Sequence, residues 1–162
     1  MRLNDDETIY FKTILEELIR LPYIQQMKSY TQHGHTSCLD HSLFVAYYSY
    51  YLARRLHLST DYKSIIRGAL LHDFFLYDWH DKGDRKGLHG FTHPKAALAN
   101  AEKYFLLNDK EKDIILKHMW PLTIKPPRYK ETYIICLADK CCSTMETLKK
   151  VPSSHALNLQ FY

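Results

Sequence analysis

Apolar residues recur at three- and four-residue steps along almost the whole chain, the spacing that forms one face of an α-helix. In the first such segment, from about Asp6 to Leu21, that face carries Ile9, Ile14, Leu15, Leu18 and Ile19. Pro22 ends this helix or restarts it, because proline cannot continue the helical hydrogen-bond ladder. No segment shows the alternation of a confident β-strand. The pattern therefore predicts an all-α protein.

Capping residues and prolines divide the remaining chain into five further helices. Ser37, with Asp40 three positions later, is typical of a helix N-terminus. The predicted helices run from Ser37 to about Leu56, from Thr60 or Asp61 to Phe75, from Thr92 to Phe105, from Asn108 to shortly before Pro121, and from Glu131 to Lys149. The tail after Pro152 has no clear pattern. We expect a single bundle of about six helices with short connections, spanning residues 1–162.

Composition narrows the class of protein. The chain has 162 residues, of which 46% are hydrophobic, so one domain with a real core can form. No apolar run reaches the roughly 20 residues of a membrane helix. The polar, acidic start from Met1 to Glu7 is unlike a signal peptide, and the four cysteines form no C-x-x-C pair. We expect a cytoplasmic protein with no membrane partner.

Charge and histidine content point toward a metal rather than a nucleic acid. The net charge is +4 and no long basic stripe is present, so we expect no nucleic-acid partner. Ten histidines, however, are an unusual number for 162 residues. Histidine is the commonest metal ligand in proteins and the usual proton carrier near neutral pH.

Four of the residues able to bind a metal lie beside apolar runs. His72 and Asp73 interrupt the run GALLHDFF, and Asp139 ends a second run, IICLAD. Burying an imidazole and a carboxylate costs several kcal/mol unless a partner compensates them, and one metal ion can compensate both. His41 lies early on the aromatic-rich central helix. The order His…His-Asp…Asp therefore predicts a site for one or two divalent metal ions.

These four residues give the chain its resemblance to the HD superfamily of metal-dependent phosphohydrolases. The resemblance covers roughly Thr36 to Leu148 and rests on the order of His41, His72-Asp73 and Asp139 in a helical chain. It implies an all-α HD-domain fold. It also implies hydrolysis of a phosphoester or phosphoanhydride bond with the help of divalent metal ions.

Two further histidines match the branches of the superfamily that bind two metal ions. His93 and His118 lie between the His-Asp pair and the final Asp, with His89 as a rival to His93. The resemblance implies that they hold a second ion, with Asp73 bridging the two. Such a His4Asp2 set favours iron or manganese over magnesium or calcium, with cobalt, nickel or zinc as alternatives.

The resemblance also implies a mechanism, and residues near the candidate ligands in this sequence could assist it. Two ions roughly 3.5–4 Å apart would hold a hydroxide that attacks phosphorus, with Asp73 bridging them. Lys140 is expected to assist catalysis as a cation. Lys117, Arg128 and His89 are expected to bind the phosphorylated substrate.

The sequence departs from many superfamily members after the His-Asp pair. Phe74 and Phe75 stand where those members have a small residue and a lysine. Small size and six candidate ligands are closer to the stand-alone nucleotide hydrolases, including the symmetrical dinucleoside-tetraphosphate hydrolases. We therefore expect a nucleotide or another small phosphoester as substrate. A mixed-valence di-iron oxygenase and a catalytically silent metal- or ligand-sensing module are the alternatives.

Overall fold

The computed structural model describes residues 2–33, 36–81 and 87–148, and this part of the chain is all-α apart from one small hairpin. The prediction of the fold class is therefore confirmed. In chain order the elements are α1 (Asp5–Ile19), α2 (Pro22–Gln25), a 3-10 turn (Gln26–Ser29), β1 (Thr31–His33), β2 (Thr36–Ser37), α3 (Cys38–Arg55), α4 (Tyr62–Leu71), α5 (His89–Tyr104), α6 (Asp109–Lys117) and α7 (Lys130–Thr147). Within the described ranges, no helix combines the length and apolarity needed to cross a bilayer. The predicted end of the last helix at Lys149 and the tail beyond it lie outside the described residues.

A short helix and a two-stranded hairpin add to the predicted bundle of about six helices. Pro22 restarts the chain as the four-residue helix α2, where it takes the first helical position and its missing N–H removes no helical bond. Strands β1 and β2 pair antiparallel, with Thr31 opposite Ser37, where the sequence predicts only a loop. Strands of three and two residues are too short to show a period-two pattern.

Side-chain caps begin α3 and α6 where the sequence predicts them. The Ser37 hydroxyl accepts a hydrogen bond from the Asp40 amide at 3.2 Å. Asn108 and Glu111 form a reciprocal capping box at the start of α6, with distances of 2.9 and 3.0 Å. These caps satisfy backbone N–H groups that a helix leaves without partners, and so they fix both helix starts.

Helix α4 ends earlier than predicted. Its last residue is Leu71, so His72 and Asp73 lie at and just beyond its C-terminus rather than inside a helix that reaches Phe75. Leu76 has a φ of 55°, which turns the chain away from the helix axis. The Asn100 amide of α5 donates to the carbonyls of Phe74 and Phe75 at 3.2 and 2.8 Å. This contact between distant segments leaves no mark on the local apolar pattern.

Helix α5 begins earlier than predicted. Its first residue is His89, and Thr92 does not cap it; the Thr92 hydroxyl instead donates to the Leu88 carbonyl at 3.2 Å. Pro94 therefore lies inside the helix, not in its first turn. Because the helix already includes His89, this residue lies one turn before His93 on the same helical face.

The bundle is organised around α3, which packs against α4 and α7, while α6 packs against α4, α5 and α7. Helices α4 and α6 approach closely at Gly68, where a Cβ atom would lie only 2.7 Å from Ile114 Cδ1. Gly68 precedes His72 by four residues, and Ile114 precedes His118 by four residues. The close helix contact therefore lies one turn below both histidines and sets how near they come.

We predict that Gly68→Ala lowers the free energy of unfolding by about 1–3 kcal/mol, because the added methyl group overpacks a buried contact. Alanine normally stabilises a helix interior relative to glycine, so a loss of stability identifies the clash as its cause. Urea unfolding monitored by circular dichroism measures the change. Adding Ile114→Val, which removes Cδ1, should recover part of the loss; equal stability of Gly68→Ala and the wild type would contradict the close approach.

Candidate metal centre

Six histidine and aspartate side chains from five helices or their ends converge at one place in the bundle. They are His41 in the first turn of α3, His72 and Asp73 at the end of α4, His93 on α5, His118 at the C-cap of α6 and Asp139 on α7. All six are buried, with His41 and His72 fully so. These are the six metal ligands that the resemblance implies.

The Asp73 carboxylate lies at the centre of the cluster, and its two oxygens face different histidines. Oδ2 lies 3.3 Å from His72 Nε2 and 3.7 Å from His41 Nε2. Oδ1 lies 3.2 Å from His93 Nε2 and 3.6 Å from His118 Nε2. The cluster thus contains two groups of three ligand atoms that lie within 4.8 Å of one another, and Asp73 belongs to both.

Asp139 adds a second carboxylate on the side of His41 and His72. Its Oδ1 lies 3.1 Å from His41 Nε2 and 3.7 Å from His72 Nε2. The group that contains His41 and His72 therefore has both carboxylates, whereas the group that contains His93 and His118 has Asp73 alone.

Each of the four histidines is oriented by a hydrogen bond at Nδ1, the ring nitrogen that faces away from the cluster. The Nδ1 atoms lie 2.6–2.9 Å from their acceptors, which are the Glu146 carboxylate for His41, the Ala69 carbonyl for His72, the His89 carbonyl for His93 and the Ile115 carbonyl for His118. Because carbonyl and carboxylate oxygens only accept, Nδ1 carries the proton. In the neutral ring this leaves a lone pair on Nε2, directed at the cluster, which is the arrangement metal-binding histidines require.

The interior of the cluster lacks the hydrogen bonds that buried polar atoms normally make. Within the described ranges, His72 Nε2 and Asp73 Oδ1 have no hydrogen-bond partner. The Nε2 atoms of His93 and His118 lie 2.7 Å apart, so two neutral rings would set two lone pairs against each other. Burying such atoms without compensation costs free energy, and a cation removes both problems. The donor set therefore fits divalent metal ions.

Protonation of the cluster follows from burial and from the neighbouring charges. Burial, reinforced by the His72 and His93 rings, lowers the pKa of His118 to about 3, so this ring is neutral at neutral pH. Burial alone would lower the pKa of His41, but its hydrogen bonds to Asp139 and Glu146 outweigh this effect and raise that pKa to about 9. Although burial opposes ionisation of Asp73, the adjoining His72 and His93 hold its pKa well below the usual value.

A cleft of about 470 Å³ opens directly onto the cluster. Four residues of the cluster line it, namely Asp73, His93, His118 and Asp139, and the remaining lining residues are Gln32, Trp79, His89, Gly90, Met119, Leu122, Lys140, Ser143 and Thr144. His89 lines this cleft, but it is the neighbouring His93 whose Nε2 faces Asp73. The Lys140 ammonium donates to the carbonyls of Cys136 and His118 at 3.2 and 3.4 Å, beside the cleft.

Lys117 and Arg128, which the sequence suggests as substrate-binding residues, do not line this cleft. Both residues contact Asp113 instead. Lys117 Nζ lies 2.5 Å from Asp113 Oδ1, and the Arg128 backbone amide donates to Asp113 Oδ2 at 3.0 Å. The Arg128 guanidinium lies over the ring of Tyr129. The structure thus gives these two cations contacts at the α6–α7 connection rather than beside the cluster.

Two buried residues that contact the cluster are missed by the sequence reasoning. Glu146 lies two helical turns after Asp139 on α7, so its position on the same face is a usable signal. Gln32 donates from its side-chain Nε2 to Asp73 Oδ2 at 2.5 Å. It lies on a three-residue strand, and no local pattern distinguishes it from a loop residue.

Comparison with known proteins agrees with the geometry of the cluster. Residues 38–144 match the model of the HD domain, a segment that contains all six converging residues. Searches of curated proteins and of solved structures found no match. The match covers more than half of the chain, and the buried His/Asp cluster is the feature expected of a metal-binding member. The chain therefore belongs to the HD domain family.

Proposed function

We propose that this protein is a phosphohydrolase that uses two divalent metal ions to hydrolyse a small phosphoester, with a nucleotide as the favoured substrate class. The observation that carries the proposal is that the two carboxylate oxygens of Asp73 face different pairs of histidines. One of its oxygens faces His41 and His72, and the other faces His93 and His118. A bridging carboxylate between two imidazole pairs suits a two-ion centre better than a single ion.

The chain supplies ligands whose orientation is fixed before any metal binds. His41 and His72, with Asp139, would hold one ion, while His93 and His118 would hold the other. When bound, such ions neutralise phosphoryl oxygens and lower the pKa of a water molecule to produce a nucleophile. Because hydrogen bonds at Nδ1 already orient all four rings, little reorganisation is needed when they engage the ions.

The cleft beside the cluster supports a small phosphorylated substrate. Its volume of about 470 Å³ lies in the roughly 300–1,000 Å³ range of small-molecule sites. Lys140 provides a cation at its wall for the phosphoryl group, and Ser143 and Thr144 follow one turn later on α7. Trp79, Met119 and Leu122 add apolar surface that suits a base or another uncharged part of the substrate.

Hydrolytic activity is tested with protein loaded anaerobically with Mn²⁺, Fe²⁺ or Co²⁺. We expect phosphate release from at least one member of a panel of nucleotides, dinucleoside polyphosphates and phosphomonoesters. Asp73→Asn should reduce that rate by at least about 100-fold, because the amide cannot supply two anionic oxygens to two ions. A mixed-valence iron EPR signal with O2 consumption and no phosphate release would contradict the hydrolase and favour the oxygenase.

The number of ions is tested by metal analysis of variants. We expect about two equivalents per chain in the wild type, about one in His118→Ala, and none in Asp73→Ala, since Asp73 serves both groups. Exposed His57 has a φ of 50°, which asparagine tolerates, so His57→Asn is a matched control that should keep both equivalents. A full complement in Asp73→Ala would rule out the bridging role.

The role of Lys140 is tested by Lys140→Met, which keeps most of the side-chain volume and removes the charge. Losing one charged hydrogen bond to the substrate should lower kcat/KM about 10- to 100-fold while metal content stays unchanged. The control is Lys130→Met, at an exposed lysine that begins the same helix. Equal kcat/KM values for both variants and the wild type would exclude Lys140 from substrate binding.

A further inference from the structure

The β1–β2 hairpin precedes the segment that matches the HD domain, yet one of its side chains reaches the metal centre. Gln32 lies on β1, is 6% exposed and lines the cleft. Its side-chain Nε2 donates to Asp73 Oδ2 at 2.5 Å, the same oxygen that faces His41 and His72. The hairpin is therefore in direct contact with the bridging carboxylate.

The orientation of the Gln32 amide is determined by its two neighbours. An ionised Asp73 carboxylate can only accept, so the amide nitrogen must face it. The amide oxygen then accepts from the Cys38 thiol, at a distance of 3.2 Å. Burial raises the pKa of the Cys38 thiol, which therefore keeps its proton and remains a donor. Cys38, Gln32 and Asp73 thus form one directed chain of hydrogen bonds.

The backbone on both sides of Gln32 is also held. The Trp79 indole N–H donates to the Thr31 carbonyl at 2.9 Å. The Cys38 amide donates to the Tyr30 carbonyl at 2.8 Å, where the hairpin meets α3. These bonds restrict the strand from which the Gln32 side chain extends, so the amide acts from a fixed base.

We infer that Gln32 is a positioning residue that holds the Asp73 carboxylate in the orientation in which its two oxygens face different pairs of histidines. By occupying Oδ2, its amide prevents the carboxylate from rotating and keeps Oδ1 directed at His93 and His118. This inference rests on the proposed two-ion centre. It has an unequal consequence for the two ions: the group of His41 and His72 also has Asp139, whereas the group of His93 and His118 depends on Asp73 for its single carboxylate.

Cobalt titration of the full-length protein tests this inference without measuring activity. Calorimetry gives the affinity of each equivalent, and visible absorption reports the coordination of Co²⁺. In Gln32→Met, which removes the donor at similar side-chain length, the first equivalent should bind as in the wild type. The second should bind about 10- to 100-fold more weakly, the range usual for losing a residue that orients a ligand. Gln26→Met, at an exposed glutamine bonded to Tyr30, is the control and should change neither affinity.

A second pair of variants substitutes Cys38 and leaves both Asp73 and Gln32 unchanged. Cys38→Ala should weaken the second equivalent in the same direction but less than Gln32→Met, and Cys38→Ser should restore it, because a hydroxyl can replace the thiol as donor. Unchanged affinities in both Gln32→Met and Cys38→Ala would overturn the inference and leave the proposed function standing. A wild-type protein that binds a single equivalent would instead contradict the two-ion centre, and the inference with it.

Discussion

Compensation of one buried carboxylate is the constraint on which the rest of the structure depends. Asp73 is 2% exposed and ionised, and an isolated charge in that position would be prohibitively unstable. Imidazoles from four helices surround it, and an amide from the hairpin approaches one of its oxygens. Each segment that brings such a partner is thereby fixed relative to the others. The same convergence that makes the fold tolerate Asp73 creates a place for cations.

The helix ends, more than the helix bodies, carry this arrangement. His72 and His118 lie at the C-caps of α4 and α6, and the rings come within 4.8 Å between centroids. That approach is possible because Gly68 has no side chain where α4 meets Ile114 of α6. The close contact of Gly68 with Ile114 therefore affects the site, because each of these residues lies one helical turn before one of the two histidines. The position of these candidate ligands is to this extent a property of helix packing rather than of loops.

The sequence predicts those parts of the site that have a local signature. His72, Asp73 and Asp139 interrupt or end apolar runs. Ser37 and Asn108 are typical N-cap residues and so predict where α3 and α6 begin. The sequence does not reveal the contacts that side chains make in the folded chain. Asn100 of α5 binds the carbonyls of Phe74 and Phe75 just beyond the end of α4, and the choice between His89 and His93 depends on where α5 begins. The positions of Lys117 and Arg128 in the sequence do not predict their contacts. Lys117 Nζ lies beside Asp113, and the Arg128 guanidinium lies over Tyr129.

The hydrogen bonds at Nδ1 distinguish His41 from the other three histidines of the cluster. His72, His93 and His118 each bond to a carbonyl three or four residues earlier, so their orientation is encoded within a single turn of their own segment. His41 instead depends on Glu146, which lies 105 residues away and, like Gln32, falls outside the segment that matches the HD domain. A substitution at Glu146 alone would therefore change the electron density on the His41 ring while leaving all six converging residues in place.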